Sequence, residues 1–192
     1  MREHEAVETI IGLGGGPWPT FRRYLMDRPA QGISRHWEHP SYHFRSYQPE
    51  DLNDHAEALA QSFSDSDDRM LFPVLGSKEG CQDLMREIVR RWDFVPEATW
   101  LAIGPTGPVG TIQGLKTGST GMIQNVGVIP YARSKGLGKL LLLNSINGYA
   151  KAGIETVQLE VTANNIAAVK LYESVGFKLI KVLYKPAATI LI

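Results

Sequence analysis

From residue 42 onward the apolar and polar positions of the chain fall into regular periods. Tyr42, Phe44 and Ser46 alternate with His43, Arg45 and Tyr47, the period of two that predicts a first strand. Pro49-Glu50-Asp51 then starts a helix with acids in its first turn, and Leu52, Ala56, Leu59, Ala60 and Phe63 share one face of it. Residues 65–68, Asp-Ser-Asp-Asp, break that helix as a solvated loop, although an acidic loop could also attract a cationic amine. Ser77 is placed to cap a second helix whose buried stripe reads Cys81, Leu84, Met85, Ile88, Val89 and Trp92 and which ends before Pro96. Residues 98–103 and 109–115 are short strands around Gly104-Pro-Thr-Gly-Pro108, so they form a hairpin, and residues 122–129 are the next antiparallel strand. Gly127 inside that strand marks a bulge or a close approach by another backbone or a ligand.

The second half of the chain is punctuated by glycine. Residues 137–150 read as a helix whose run Leu140-Leu-Leu-Leu143 implies contact on nearly all sides, while Asn144, Asn147 and Lys151 predict one polar face. Gly153 is placed to end it in left-handed geometry. Residues 156–161 form a strand reached through this crossover helix, so they lie parallel to residues 122–129. Asn164-Asn165 then offers an N-cap for a helix running through Ala168, Leu171 and Val175 to Gly176, and residues 177–184 are a last strand. The apolar tail to residue 192 takes no assignment.

Residues 1–40 resist this reading. Ile10-Ile11-Gly12-Leu13-Gly14-Gly15-Gly16 starts like a strand entering a dinucleotide loop, but Pro17 stands where the last glycine of that fingerprint belongs. Trp18, Phe21, Tyr24, Leu25 and Trp37 are costly to leave in water, so the stretch is expected to pack on its own domain, on a second subunit or in a cleft. The chain therefore divides into an extension, 1–40, and a domain, 41–192. A homodimer is one way to cover the extension.

Composition narrows the class. With 43% apolar and 21% charged residues and a formal net charge of zero over 192 residues, the chain has the balance of a soluble globular protein. Nothing in that balance argues for nucleic acid or an anionic membrane surface. The single cysteine, Cys81, excludes an internal disulfide and leaves no Cys/His cluster of metal-ligand spacing, so no metal is expected and a reducing cytoplasm is the default. No apolar run has the length of a membrane span.

Candidate chemistry concentrates at residues 125–139, where a β-branched strand ends at Pro130 and Arg133-Ser-Lys-Gly136-Leu-Gly138-Lys139 leads into the helix at 137. The first amides of a helix lack intrahelical partners and carry the positive end of its dipole, and Gly136 and Gly138 let an anion approach them. Arg133 and Lys135 add charge. A nucleoside-triphosphate loop is excluded because Gly138-Lys139 is followed by Leu140 rather than serine or threonine, and a dinucleotide fingerprint fails because no glycine follows at the required spacing.

The remaining pattern, Arg-x-x-Gly-x-Gly after a Val-x-Val-x-Pro strand, resembles the pyrophosphate loop of the GNAT superfamily of acyl-CoA N-acyltransferases. Asn165-Ile-Ala-Ala168-Val-Lys-Leu171-Tyr172-Glu173-Ser-Val-Gly176-Phe177 resembles the superfamily's second signature at every defined position. Together the motifs extend the resemblance over residues 42–185. Leu159-Glu160-Val161-Thr-Ala-Asn-Asn165 is similar to a segment of the branch that acetylates protein N-termini, the ribosomal-protein-alanine type.

The resemblance implies an α/β fold, with a mixed, mostly antiparallel central sheet, a splayed parallel strand pair and helices on both faces. It implies acetyl-CoA as cosubstrate and direct acetyl transfer to a primary amine, of a small molecule or of a peptide or protein N-terminus. The pantetheine arm would bond to the backbone of Val126, Gly127 and Val128 and to Asn165, beside Ala168. The pyrophosphate would rest on Arg133, Ser134, Lys135, Gly136, Leu137, Gly138 and Lys139. Tyr172 would face the thioester sulfur, and Glu160 would be the base, since Gln124-Asn125 supplies no acid on the strand before the loop. An alternative from another class is a module that binds acyl-CoA as a sensor without turnover. Plainer roles stand beside the chemical ones: Asn165 as a helix cap, Tyr172 as core, Glu160 as a half-exposed glutamate.

Overall fold

The computed structural model describes residues 9–11, 17–31, 38–65 and 72–186. Its strands are β1 (Thr9–Ile11), β2 (Pro17–Pro29), β3 (His43–Ser46), β4 (Trp100–Gly104), β5 (Gly107–Thr117), β6 (Thr120–Val128), β7 (Thr156–Thr162) and β8 (Lys178–Pro186). Its helices are α1 (Leu52–Ser62), α2 (Lys78–Arg90), α3 (Leu137–Lys151) and α4 (Ile166–Ser174), with single 3-10 turns at Pro49–Asp51, Pro73–Gly76, Pro96–Ala98 and Pro130–Ala132. The sheet order is β1-β2-β7-β6-β5-β4-β3, with β8 on the other side of β2. Every pairing is antiparallel except β6 with β7, the pair that α3 connects.

Alternation along the strands divides the interior in two. On one face Ile112, Ile123, Val157, Leu159 and Val161 pack with Leu141, Leu142, Ile146 and Tyr149 of α3 and with Tyr172 of α4. On the other face Leu115 packs with Ala56 and Leu59 of α1 and with Cys81, Leu84, Met85 and Ile88 of α2. The stripes predicted for both helices are therefore real, and Ser77 caps α2 by accepting from the Gly80 amide at 3.0 Å. Residue 92 is the exception. The helix ends at Arg90, Arg91 turns extended, and Trp92, no longer carried by the helical period, stands 85% exposed.

The polar face expected on α3 is also absent at two of its three positions. Asn144 and Asn147 are buried, and the turn at Pro96–Ala98 lies against this helix, with Ser145 Oγ donating to the Ala98 carbonyl at 2.6 Å; Lys151 alone of the three is exposed. Residues 17–29, given no element from sequence, form the longest strand. β2 pairs with β7 from Arg23↔Thr162 to Pro29↔Thr156 and with β8 from Thr20↔Pro186 to Asp27↔Lys178. Among the described residues β8 reaches the sheet through β2.

Candidate active site

The site begins where the parallel pair comes apart. β6 and β7 are in register from Thr120↔Thr156 to Ile123↔Leu159 and then separate, although β6 continues to Val128 and β7 to Thr162. The register of β6 against β5 shifts at the same point: Ile112 faces Val126, whereas Gly114 faces Ile123. One extra residue of β6 is thus accommodated at Gln124-Asn125, a bulge that bends the strand away from β7. The bulge lies upstream of Gly127, whose glycine has another cause. A Cβ there would stand 2.6 Å from Ser62 Cβ, so α1 can end against the strand only if residue 127 has no side chain.

A cleft of about 750 Å³ occupies the gap on the side of the loop. Val126, Gly127, Val128, Arg133, Ser134, Gly136, Leu137, Gly138, Lys139, Asn165, Ala168 and Tyr172 all line it. Ser134 and Gly136 take left-handed conformations, φ 61° and 79°, and wind the chain tightly into α3. The first helical bond of the entry is Leu140 N to Gly136 O at 3.1 Å, so the amides of Leu137, Gly138 and Lys139 precede the ladder.

Two of the expected cations are used for structure. Arg133 donates to Asp65 through two nitrogens, at 2.7 and 2.8 Å, and to the Val128 and Ser62 carbonyls at 3.1 and 2.8 Å. It fastens the end of β6 to the end of α1, and Asp65, read as loop, offsets its charge inside the cleft. Lys135 turns away: its Nζ donates to Tyr42 Oη at 2.9 Å and lies 5.6 Å from that ring's centre, and it does not line the cleft. Lys139 is the lysine of the loop that does. Asn165 Oδ1 caps α4 by accepting from the Ala168 amide at 3.1 Å, which leaves its NH₂ for another acceptor.

A second cleft, about 430 Å³, opens on the α1 and α2 face of the sheet. Phe72, Leu75, Leu84, Ile88 and Met122 give it apolar walls, and Arg23, Arg91, Asp93, Glu160 and Lys185 give it charge. The clefts share Phe63, Val126, Thr162, Asn165, Ala168 and Tyr172, so they meet at the open strand pair. Tyr172 is 8% exposed at this junction and sets its ring edge-on to Phe177, 6.1 Å between centres. Glu160 faces the second cleft, opposite to Leu159 and Val161, as the alternation of β7 requires.

Glu160 is heavily engaged. Lys185 Nζ donates to both of its oxygens at 2.7 Å and Arg23 Nε donates to Oε2 at 3.2 Å. Beside them Arg91 clamps Asp93 through two bonds of 2.8 Å, and these bonds hold the Asp93 carboxyl below the usual carboxylate range. Sequence reasoning found neither Arg23, Lys185 nor the Arg91–Asp93 pair. Only the last carried a local signal, two opposite charges two residues apart at a helix end.

Two buried titratable groups that line neither cleft serve the fold. His55 is fully buried, with Nδ1 2.7 Å from Thr111 Oγ1, and burial, reinforced by the Arg45 charge, lowers its pKa to about 3. Cys81 is buried and its thiol is pushed up to about 11 by desolvation, which makes it a poor nucleophile. Among the described residues no group of three or more His, Cys, Asp or Glu side chains could hold a metal ion, and no helix is long and apolar enough to cross a membrane.

Residues 36–177 match the acetyltransferase (GNAT) family model, about three quarters of the chain, and the protein belongs to that family. A mycothiol acetyltransferase from Nocardiopsis dassonvillei is 34% identical over 116 residues, which are 54% of this chain and 35% of that protein. A ribosomal protein bS18-alanine N-acetyltransferase from Escherichia coli K12 is 47% identical over 53 residues, 28% of this chain and 36% of that protein. The matched stretches thus span about a third of these curated relatives. Among solved structures, a GCN5-related N-acetyltransferase from Sphaerobacter thermophilus superposes with a TM-score of 0.68 at 23% identity, over 86% of this chain and 50% of that one. The PaiA N-acetyltransferase from Thermoplasma acidophilum, solved in complex with coenzyme A, gives 0.60 at 20% identity, over 76% and 99%. The expected mixed sheet with one opened parallel pair is the fold observed.

Proposed function

We propose that the chain transfers an acetyl group from acetyl-CoA directly to a primary amine, of a small molecule or of a peptide or protein N-terminus. The observation that carries this reading is the meeting of two clefts at Tyr172, one bounded by an anion-accepting helix start and the other by apolar walls and Glu160. The first cleft suits a long, thin cofactor with phosphates at one end. The amides of Leu137, Gly138 and Lys139 and the Lys139 ammonium would receive the pyrophosphate. The freed edge of Val126, Gly127 and Val128 and the Asn165 amide would receive the pantetheine arm. When bound, acetyl-CoA supplies the activated thioester.

The chain's own residues then handle protons. An amine is mostly protonated at neutral pH and must lose a proton before it attacks, while the departing sulfur needs one. Glu160, directly or through one water, is assigned the first task and the Tyr172 hydroxyl the second. Because Cys81 is buried and poorly ionised, transfer passes through a ternary complex rather than an acyl-cysteine.

The test is thiol release from acetyl-CoA in the presence of a panel of amines and peptides, run beside calorimetry of acetyl-CoA binding. Release that depends on an amine supports the enzyme. The rival, an acyl-CoA-binding sensor, draws on the two cations that already occupy Glu160; binding without release under every acceptor would favour it.

A further inference from the structure

The second cleft already contains a primary amine. Lys185 sits on β8, opposite Phe21 of β2, while Glu160 sits on β7, opposite Leu25 of the same strand. The lysine therefore reaches diagonally over a whole strand, across two inter-strand spacings of roughly 5 Å each and along the offset between Phe21 and Leu25, to place Nζ 2.7 Å from both carboxylate oxygens. It makes this reach although Arg23 is already on Glu160 at 3.2 Å, so two cations share one carboxylate. Lys185 lines the cleft that Tyr172 also lines. A nucleophile of the substrate's own class is thus held by the group assigned to deprotonate the substrate.

We infer that Lys185 is an internal acceptor, a site of self-acetylation that occupies the amine position until it is modified. This rests on the proposed acetyl transfer. Glu160 takes one proton from the Lys185 ammonium; the Nζ lone pair forms a bond to the acetyl carbonyl carbon; the carbon–sulfur bond of acetyl-CoA breaks, and the sulfur leaves as a thiol carrying the Tyr172 proton. The second proton of the nitrogen returns to the tyrosine oxygen, and the one on Glu160 passes to solvent. The balance is one ammonium and one thioester in, one amide, one thiol and one proton out. Nothing is oxidised or reduced. The resulting amide has no charge and cannot hold the ion pair, so Glu160 keeps Arg23 alone and regains lone pairs for an external amine.

The test incubates the full chain with acetyl-CoA and no added acceptor, and follows intact mass and lysine-resolved peptide mapping, with calorimetry of acetyl-CoA on the same sample. One acetyl group per chain on Lys185 is expected, at a rate independent of protein concentration. The rate should fall at least tenfold in Tyr172→Phe, and the label should be absent in Lys185→Arg, which keeps the cation on Glu160. The variant Lys185→Gln, resembling the acetylated side chain, should turn over external amines several-fold faster than Lys185→Arg. Labelling spread over surface lysines, labelling that persists at full rate in Tyr172→Phe, or a rate that rises with protein concentration overturns the proposal. So does binding of acetyl-CoA with no label, a result that leaves the proposed transfer to external amines standing. Absence of acetyl-CoA binding overturns both.

Discussion

The cleft at the start of α3 and the cleft beneath α1 and α2 meet at Tyr172, yet they are assembled in opposite ways. The first is made of backbone: amides ahead of the helical ladder, an opened strand edge, two left-handed residues in the loop. Of the charged side chains that line it, Arg133 is neutralised by Asp65 and acts as a fastener. The second is made of side chains from distant parts of the chain, among them an arginine bonded to a glutamate 137 positions away. Under the proposed transfer, a surface built from main chain suits what every turnover shares, and one built from side chains is free to vary with the acceptor.

Breaking the junction should have the largest effect. Tyr172→Phe keeps the ring in the core and removes the proton, so kcat should fall roughly 10²- to 10⁴-fold, the usual range for a positioned acid, with acetyl-CoA affinity unchanged; an unaltered kcat would return Tyr172 to a packing role. Next comes the backbone cleft. A Cβ at Gly138 would meet the flexible end of Leu171 at 3.2 Å, so Gly138→Val should fold while blocking the approach of phosphate to the first amides. Losing hydrogen bonds to a charged group costs about 1.5–3 kcal/mol, or roughly ten- to a hundredfold in affinity. Calorimetry with unchanged affinity would remove the loop from the cofactor site.

A third experiment sharpens the comparison by separating stability from chemistry. His55 is neutral in the fold, with a pKa of about 3, whereas in the unfolded chain it titrates near 6.5. Between these values the unfolded state binds more protons, so this contribution is complete above pH 6.5 and declines as pH falls, by about 2 kcal/mol at pH 5. Urea midpoints at pH 7 and 5 should converge in His55→Gln; an equally steep dependence in that variant would assign the acid sensitivity to other groups. The smallest effect is expected from Cys81→Ala, with nearly full activity and intersecting initial-velocity lines. Parallel lines would point to a covalent intermediate.

The same contrast explains what could be read from the chain. The loop and the segment around Asn165 and Tyr172 are contiguous, and their strand, turn and helix-start chemistry is local, so those parts of the first cleft's lining were legible, whereas the wall that Ser62, Phe63 and Asp65 supply was not. Lys135 was not, because its direction is decided by Tyr42, 93 positions away. Trp92 was misplaced because periodicity does not mark where a helix stops, and Asn144 and Asn147 because burial of a helix face is decided by segments distant in the chain. The second cleft was almost invisible. Glu160 was found, but its partners lie on strands whose pairing no local pattern specifies, and β2 carries two prolines near its start and no clean alternation.

The placement of β2 between β7 and β8 also sets an order of assembly. β2 is translated before its pairing partners at residues 156–186, so it must wait for the whole stretch between them. Such long-range pairing forms late and slowly. The backbone cleft, formed by β6 to α4 and the end of the earlier helix α1, requires no such wait. Amides of β8 should accordingly exchange with solvent together with those of β2, and sooner than those of β5 and β6; earlier protection of β8 than of β2 would refute this order. Arg23, Glu160 and Lys185 then come together only when that pairing forms, so a chain caught partway through folding would hold the first cleft before the second was assembled.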